Sequence, residues 1–435
     1  MELDPLTVGL IGMGGLLVLV LLGVRVVFAA SAVGLIGLVV LLGWGPGAGL
    51  AGTIPHSKSV SYTLSVLPMF ILIGYLAFHA GITAAAFDAA RKWFGWVPGG
   101  LAVATVLATA GFAAVSGAST STAAVFARIA IPEMLRYNYD RRLAAGVVAA
   151  GGTLASLIPP SAILIIYAII VEESVGKLLL AGFIPGMISA LIYVALIIGR
   201  AKLNPKLGPP VGGFTWGDRM RSLPGISPII AVVLVIFGGI YFGWSTPTEA
   251  GAVGAFVVFC MAMARGMGWA KLKDALLETA TLTVMIFSII WGVLVFVRFL
   301  GFAQLPEAFA AWIVALPLPP FAIIIMILLG YTILGMFMDA IGMLLLTLPV
   351  VYPAVMALGY DSVWFGIIVV KMAEICLVTP PIGLNCYVVN GVRPDIPLQD
   401  VFRGIWPFFL ADVATVGLFI AYPELITWLP NLMTN

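Results

Sequence analysis

Ile158-Pro159-Pro160-Ser161 and Thr379-Pro380-Pro381-Ile382 set the same proline pair twice into apolar sequence. The two pairs lie 221 residues apart (380 − 159), and their surroundings keep that interval: Pro132 matches Pro353, Tyr139 matches Tyr360 and Asp140 matches Asp361. Further out, Ala30-Ser31-Ala32-Val33-Gly34 matches Ala250-Gly251-Ala252-Val253-Gly254 at an interval of 220, and Gly182 and Pro185 match Gly404 and Pro407 at 222. Such drift is what small loop insertions leave behind in a duplicated chain. A proline pair cannot continue a helix: each proline lacks an N–H, and the second pushes the first out of the α region. The duplication therefore carries one broken helix in each half, as expected of a secondary transporter whose site lies between its halves.

Composition fixes the solvent. The 435 residues are 62% hydrophobic and only 9% charged, against about 25% charged in soluble domains. A membrane-spanning chain must be a helix bundle or a closed barrel. Barrel strands alternate apolar and polar residues, whereas Phe183–Ile198 and Ile226–Phe242 are continuous apolar runs. The fold class is an all-α polytopic membrane protein. Glu2 and Asp4 stand where a cleavable leader would carry basic residues, so the first apolar run is expected to remain as a span. Cys260, Cys376 and Cys386 sit in apolar runs without metal or disulfide spacing, and His56 and His79 are isolated. No phosphate-binding Gly-x-x-x-x-Gly-Lys-Ser/Thr loop is present, which leaves ion gradients as the energy source, and nothing resembles the clustered acids and histidines of an intramembrane enzyme.

Apolar runs long enough to span, roughly 17–25 residues, lie near residues 6–23, 26–43, 61–80, 98–114, 183–200, 225–243, 249–265, 279–299, 319–336 and 405–422. Ala84–Trp96 and Trp269–Glu278 are short amphipathic stretches expected to lie in the interface. The interrupted regions are 115–171 and 337–391. The polar stretch 200–223, rich in proline and glycine, divides a first repeat (1–199) from a second (224–435). This linker carries Arg200, Lys202, Lys206, Arg219 and Arg221 against the single acid Asp218, which places it in the cytoplasm. Arg136, Arg141 and Arg142 flank the Tyr139-Asp140 turn, but no Lys or Arg follows Tyr360-Asp361 before Val370. Equivalent loops of opposite basic content face opposite sides, so the repeats are expected to be inverted.

Within the first interrupted region, Val115-Ser116-Gly117-Ala118-Ser119-Thr120-Ser121-Thr122 packs five hydroxyls into apolar sequence. Small residues of this kind suit either a close helix crossing or a re-entrant hairpin whose hydroxyls line a polar cavity. At each proline break the carbonyls one turn earlier lose their helical donors. Those near Ile158 and Pro159, and those just before Pro380 together with the Thr379 hydroxyl, suit a hard monovalent cation such as sodium. Charges inside spans are usually functional: Asp339 has no basic residue near it in sequence. Lys371 and Glu374 lie three apart on one helical face, as a self-neutralising pair or a functional one. Arg298 and Glu249 fall at span ends as anchors. Asn385, Tyr387 and Asn390 follow the second break and suit either substrate contact or helix capping.

With these residues in view, the chain resembles the large membrane subunit of the TRAP (tripartite ATP-independent periplasmic) transporters, the DctM-like family, over its full length. The resemblance rests on Ser116-Gly117-Ala118-Ser119, on Gly151-Gly152-Thr153-Leu154 through Pro159-Pro160-Ser161, and on Ala181-Gly182-Phe183-Ile184-Pro185-Gly186. It rests also on Thr246-Pro247-Thr248-Glu249-Ala250, Gly335-Met336-Phe337-Met338-Asp339, and Glu374-Ile375 leading to Thr379-Pro380-Pro381-Ile382-Gly383-Leu384-Asn385. It implies an inverted-repeat ion-transporter-like fold with two re-entrant helical hairpins and two broken helices. It further implies sodium-coupled uptake of an organic acid, such as a C4-dicarboxylate or sialic acid, by an elevator movement in the bacterial inner membrane. The implied partners are a periplasmic substrate-binding protein and a small four-helix membrane subunit, expected as a separate polypeptide because the chain starts directly with the large-subunit pattern. Two or more sodium ions are expected. By resemblance, Ser116 and Ser119 with carbonyls at Ile158 and Pro159 form one sodium site, and Thr379 with carbonyls near Pro380 and Gly335 form its mate. Asp339 and Ser161, with Asn385 and Ser116, are the expected substrate contacts. The second half lacks the Ser-Gly-Ala-Ser run, so its site must rely more on backbone oxygens. A stand-alone sodium/anion symporter of related fold is the alternative.

Overall fold

Every regular element in the structure, a computed structural model that describes residues 4–60 and 62–432, is a helix. The side chain of Lys58 also falls outside the description, as does Glu2, on which the absence of a basic leader was argued. The first half runs α1 (Pro5–Leu21), α2 (Val26–Leu42), α3 (Trp44–Ser59), α4 (Val66–His79), α5 (Ile82–Phe94), α6 (Gly100–Ser116), α7 (Ser119–Arg136), α8 (Arg141–Leu157), α9 (Ala162–Val171) and α10 (Val175–Leu203). The second runs α11 (Trp216–Tyr241), α12 (Pro247–Ala264), α13 (Trp269–Phe302), α14 (Leu305–Val314), α15 (Pro320–Gly335), α16 (Ala340–Ala357), α17 (Ser362–Val378), α18 (Leu384–Val392), α19 (Leu398–Ala421) and α20 (Glu424–Asn431). Eight helical segments of the described chain are long and apolar enough to cross a bilayer, and large apolar side chains such as Leu234, Phe256, Val284 and Leu410 stand exposed on them, as Leu10, Ile11, Phe28 and Leu329 do on the shorter apolar helices. A soluble monomer does not present such a surface; a lipid-facing one does.

The sequence interval is an interval of structure. Adding 221 to the bounds of α7 and α8 gives the bounds of α16 and α17, and α2, α6 and α9 reach those of α12, α15 and α18 within two residues. Matching caps start matching helices: Asp140 accepts from Arg142 N at 2.7 Å at the start of α8, and Asp361 accepts from Trp364 N at 2.8 Å at the start of α17. Both proline pairs interrupt their helices as expected, and both Pro-Pro bonds are cis. Thr246 and Glu249 form a reciprocal capping box at the start of α12, so Glu249, read as an interfacial anchor, organises the helix start.

Three elements differ from the sequence expectation. Trp269–Glu278 is the first part of the 34-residue α13 and not a separate interfacial helix. No glycine or proline lies between Trp269 and Trp291, and Ala, Leu, Lys and Glu favour continuation. Glycine-rich α3, unmarked by any periodicity, forms because small residues let it fold back on α2: a methyl at Gly47 would stand 2.7 Å from Leu38 O. The expected linker is non-helical only over 204–215, since Thr215 and Asp218 cap α11 with bonds of 3.2 and 2.9 Å.

Packing sorts the helices into two groups. α2 lies against α13, and reciprocally α12 lies against α4, so α1–α4 and α11–α13 form an outer frame. The two breaks lie in an inner core, where α8 touches α6, α7, α17, α18 and α19. α8 and α17 run antiparallel. The start of α8 meets the start of α19, beyond the end of α17, through Arg141 and Arg142 on Asp400 at 2.6 and 3.1 Å. The start of α17 instead meets α9, beyond the end of α8, where Tyr167 donates to Ser362 O at 2.8 Å. The linker packs where α8 begins: Asp140 N donates to Leu207 O at 3.0 Å and Gly99 N to Gly208 O at 2.9 Å. There Tyr139 accepts from Leu101 N at 3.0 Å, and burial pushes its phenol up to about 12.

Candidate functional site: hairpin tips against broken helices

Helices α6 and α7 form a hairpin whose tip is Gly117-Ala118. Gly117 is left-handed (φ +61), and a methyl there would collide with Pro160 O. Only glycine lets the first tip touch the first break. Ser116 and Thr122 share a hydroxyl bond of 3.0 Å, and Thr122 donates to Ala118 O at 2.8 Å. Ser119 is buried and accepts from Asn385 Nδ2 at 2.9 Å; Asn385 also donates to Ala149 O at 3.2 Å. Asn385 belongs to α18, so the second half completes the surroundings of the first tip. The Asn385 Oδ1 and Ser156 Oγ atoms are both buried and without hydrogen-bond partners among the described residues. Unpaired buried oxygens are costly and are what a cation would gather. Hydroxyls and carbonyls of this kind fit sodium.

The break satisfies itself only in part. Ser156 O, robbed of its helical donor by Pro160, accepts from the Ser161 hydroxyl, which in turn accepts from Leu164 N at 3.3 Å and caps α9. Ser161 is fully buried, and its contacts here are with the break itself. Leu157 O faces α10, where a methyl at Gly182 would stand 2.5 Å away, and Ile158 packs on Gly186.

The second half repeats the arrangement with other atoms. Thr379 donates to Ile375 O at 2.5 Å, as Ser161 does to Ser156 O. Gly335 ends α15 directly against Cys376, where a methyl would collide with the thiol, so the second tip also meets its break at glycine. That tip is longer, Met336 to Asp339, and Asp339 is half-buried and caps α16 by accepting from Gly342 N at 3.1 Å. Ser116, Ser119 and Asn385 are thus brought together, Gly335 joins α17 just before Thr379 and Pro380, and Ser161 belongs to the first break. Asp339 stands at the second tip without a contact to Ser161.

A cavity of about 320 Å³ reaches the first tip. Ser116, Ala118, Ser121 and Arg128 line it from the hairpin, with Tyr75 from α4 and Glu278 from α13 opposite. Glu278 is held by His79 at 3.1 Å, whereas Arg128 is absent from the ion pairs among the described residues. A second cavity, about 580 Å³, lies at the equivalent boundary, between α3, α9, α13, α14 and α16. Ser57 and Pro349 in it are the 221-residue counterparts of Glu278 and Arg128. Its lining includes Arg298, Glu172 and Glu307 but stops at Leu348–Pro353, short of the second tip.

Residues 13–425 match the family described as "Tripartite ATP-independent periplasmic transporter, DctM component". This chain belongs to that family. As a DctM-family large membrane subunit it is a multi-pass membrane protein. It is 36% identical over 378 residues to the C4-dicarboxylate TRAP transporter large permease protein DctM of Pseudomonas aeruginosa, covering 86% of this chain and 87% of that one. It is 30% identical over 379 residues to the sialic acid TRAP transporter large permease protein SiaM of Vibrio cholerae, covering 86% and 87%. Among solved structures, the Alcanivorax borkumensis YdaH transporter superposes with a TM-score of 0.58 at 14% identity, covering 86% of this chain and 88% of that one, a likeness of fold.

Two features of this DctM-family chain escaped sequence reading. Lys371 and Glu374 do form a pair, at 2.7 Å, but Lys371 also reaches Asp412 of α19 at 2.7 Å. Tyr193 of α10 donates to Asp412 at 2.7 Å, and the whole cluster is buried. Asp412 sits inside an apolar span, and that position was the available signal. Arg128 carries the same signal, a charge within the apolar sequence of α7.

Proposed function

We propose that this chain is the permease subunit of a sodium-coupled importer of organic acids in the bacterial inner membrane. It works with a separate small four-helix membrane subunit and takes substrate from a periplasmic binding protein. The observation that carries this reading is the first hairpin tip: its hydroxyls meet a broken helix and Asn385 of the other half on one side and open to a cavity on the other. Sodium at Ser116, Ser119 and Asn385 Oδ1 would satisfy those oxygens, and Arg128 on the same wall of the cavity would hold the acid's carboxylate in charge-assisted hydrogen bonds. A second sodium would take Thr379 with backbone oxygens near Gly335 and Pro380.

The names of the C4-dicarboxylate and sialic acid relatives support carboxylates as the substrate class. Antiparallel α8 and α17 support an inverted repeat. Two cavities at equivalent core–frame boundaries, with only one reaching its tip, support an elevator in which the core slides along the frame.

The test is uptake in proteoliposomes containing this chain, its small subunit and its binding protein. Labelled C4-dicarboxylates and sialic acid should accumulate only with all three proteins and an inward sodium gradient. Uptake by this chain alone would sink the tripartite reading in favour of a stand-alone symporter, and accumulation without sodium would remove the coupling. Arg128→Gln should abolish accumulation while leaving the protein folded, because Arg128 lines a cavity and supports no ion pair among the described residues.

A further inference from the structure

Lys371, Glu374, Asp412 and Tyr193 meet where α17, α19 and α10 pack, and each is 0% exposed. Fully ionised, this cluster would hold two carboxylates against one ammonium, an uncompensated negative charge in the dry core of a membrane protein. The hydrogen bonds divide the two acids. Both Asp412 oxygens accept from the Tyr193 hydroxyl, and Oδ1 also takes the Lys371 ammonium. Glu374 accepts from Lys371 through Oε2 alone, and its Oε1 is buried with no partner among the described residues. The titratable and charged groups that face Glu374 are Lys371 on its own helix, Asp412 on α19 and Tyr193 on α10; Thr153 of α8, beside Tyr193, is neutral.

We propose that Glu374 is a proton-binding site: its carboxyl carries a proton on Oε1 in this conformation, while Lys371 and Asp412 form the ion pair beneath it. A neutral acid still accepts from Lys371 through its carbonyl oxygen Oε2. Its unpaired hydroxyl costs far less than an unpaired buried charge. A sodium ion at Oε1 is the poorer occupant, because a hard cation gathers several oxygens. Here Glu374 Oε2 and both Asp412 oxygens are already engaged. A proton needs one oxygen. Loss of that proton would leave the core one charge more negative between α17 and α19, which gives the fold a built-in sensitivity to alkaline pH. The inference rests on the contacts of this cluster and holds whichever ion drives transport.

Thermal unfolding of the purified full chain across pH tests it, with Glu374→Gln and Asp412→Asn beside the wild type. The amide is the isostere of the neutral acid, so Glu374→Gln should melt with the wild type at neutral pH and lose the alkaline fall in melting temperature that the wild type shows. Asp412→Asn leaves Lys371 to pair with an ionised Glu374 at the same 2.7 Å contact, so that variant should fold and carry no protonated carboxyl at Glu374. Infrared difference spectra of wild type against Glu374→Gln should contain a deuterium-sensitive C=O band of a protonated carboxyl at neutral pH. Failure of Glu374→Gln to fold, coincident pH profiles, absence of the band from the wild type or its persistence in Asp412→Asn would each overturn the assignment.

Discussion

At the scale of single residues, the candidate site separates structural from functional roles in ways that can be measured. Asp339 is both the only acid at the second tip and the cap of α16. Asn caps a helix as well as Asp does, so Asp339→Asn removes charge while keeping the cap. Its stability should stay within about 0.5 kcal/mol of wild type while uptake is lost; wild-type uptake would return Asp339 to a capping role alone. Ser119→Ala deletes the acceptor of Asn385 and one candidate sodium oxygen. About 1 kcal/mol of lost interaction corresponds to roughly a fivefold rise in the sodium concentration for half-maximal uptake, measured in proteoliposomes at fixed substrate. An unchanged sodium dependence would remove Ser119 from the site. Residue types and local spacing made Ser116, Ser119, Thr379 and Asp339 visible in the sequence. Partners across the fold were not visible: Ser119 and Asn385 are 266 positions apart and Tyr193 and Asp412 are 219 apart, and no periodicity joins them.

At the scale of elements, glycines decide which helices can touch. Gly404 of α19 lies against Arg142 and Gly146 of α8, and a methyl there would collide with the Arg142 carbonyl, a backbone atom that cannot swing aside. On the same helix, Gly417 has open space around it. Gly404→Ala should therefore cost about 1–3 kcal/mol by overpacking, whereas Gly417→Ala should be neutral or stabilise by up to ~1 kcal/mol through helix propensity. Melting temperatures of the two variants in one detergent compare them directly, and equal effects would mean that α8 and α19 do not pack this closely. The proline pairs and apolar lengths made the broken helices and most spans legible in the sequence. Local patterning did not foresee α3 or the full length of α13. In the first case burial against α2 overrides glycine content, and in the second an amphipathic opening runs into an apolar span with no breaking residue between them.

At the scale of the whole molecule, the duplication becomes a statement about sidedness. The linker, Arg136, Arg141 and Arg142 gather where α8 begins, while α17 begins after Asp361 at the far end of the core, beside Tyr167 of α9, the helix whose C-cap is Glu172. Basic loops mark the cytoplasmic face, so on the proposed inverted repeat the cavity at Ser121 and its counterpart at Tyr352 would open to opposite sides. Cysteine at Ser121 and, in a separate variant, at Tyr352, with Cys260 replaced because it is exposed, should react with a membrane-impermeant thiol reagent from opposite faces of oriented vesicles. An elevator adds a second requirement, because sliding the core must bring the second tip to its cavity as the first withdraws. Sodium and substrate together should then change the two labelling rates in opposite directions. Labelling from one face only would make the repeats parallel. Rates that rise or fall together would replace the elevator with local opening of the tips, since rigid movement of one core cannot open both boundaries at once.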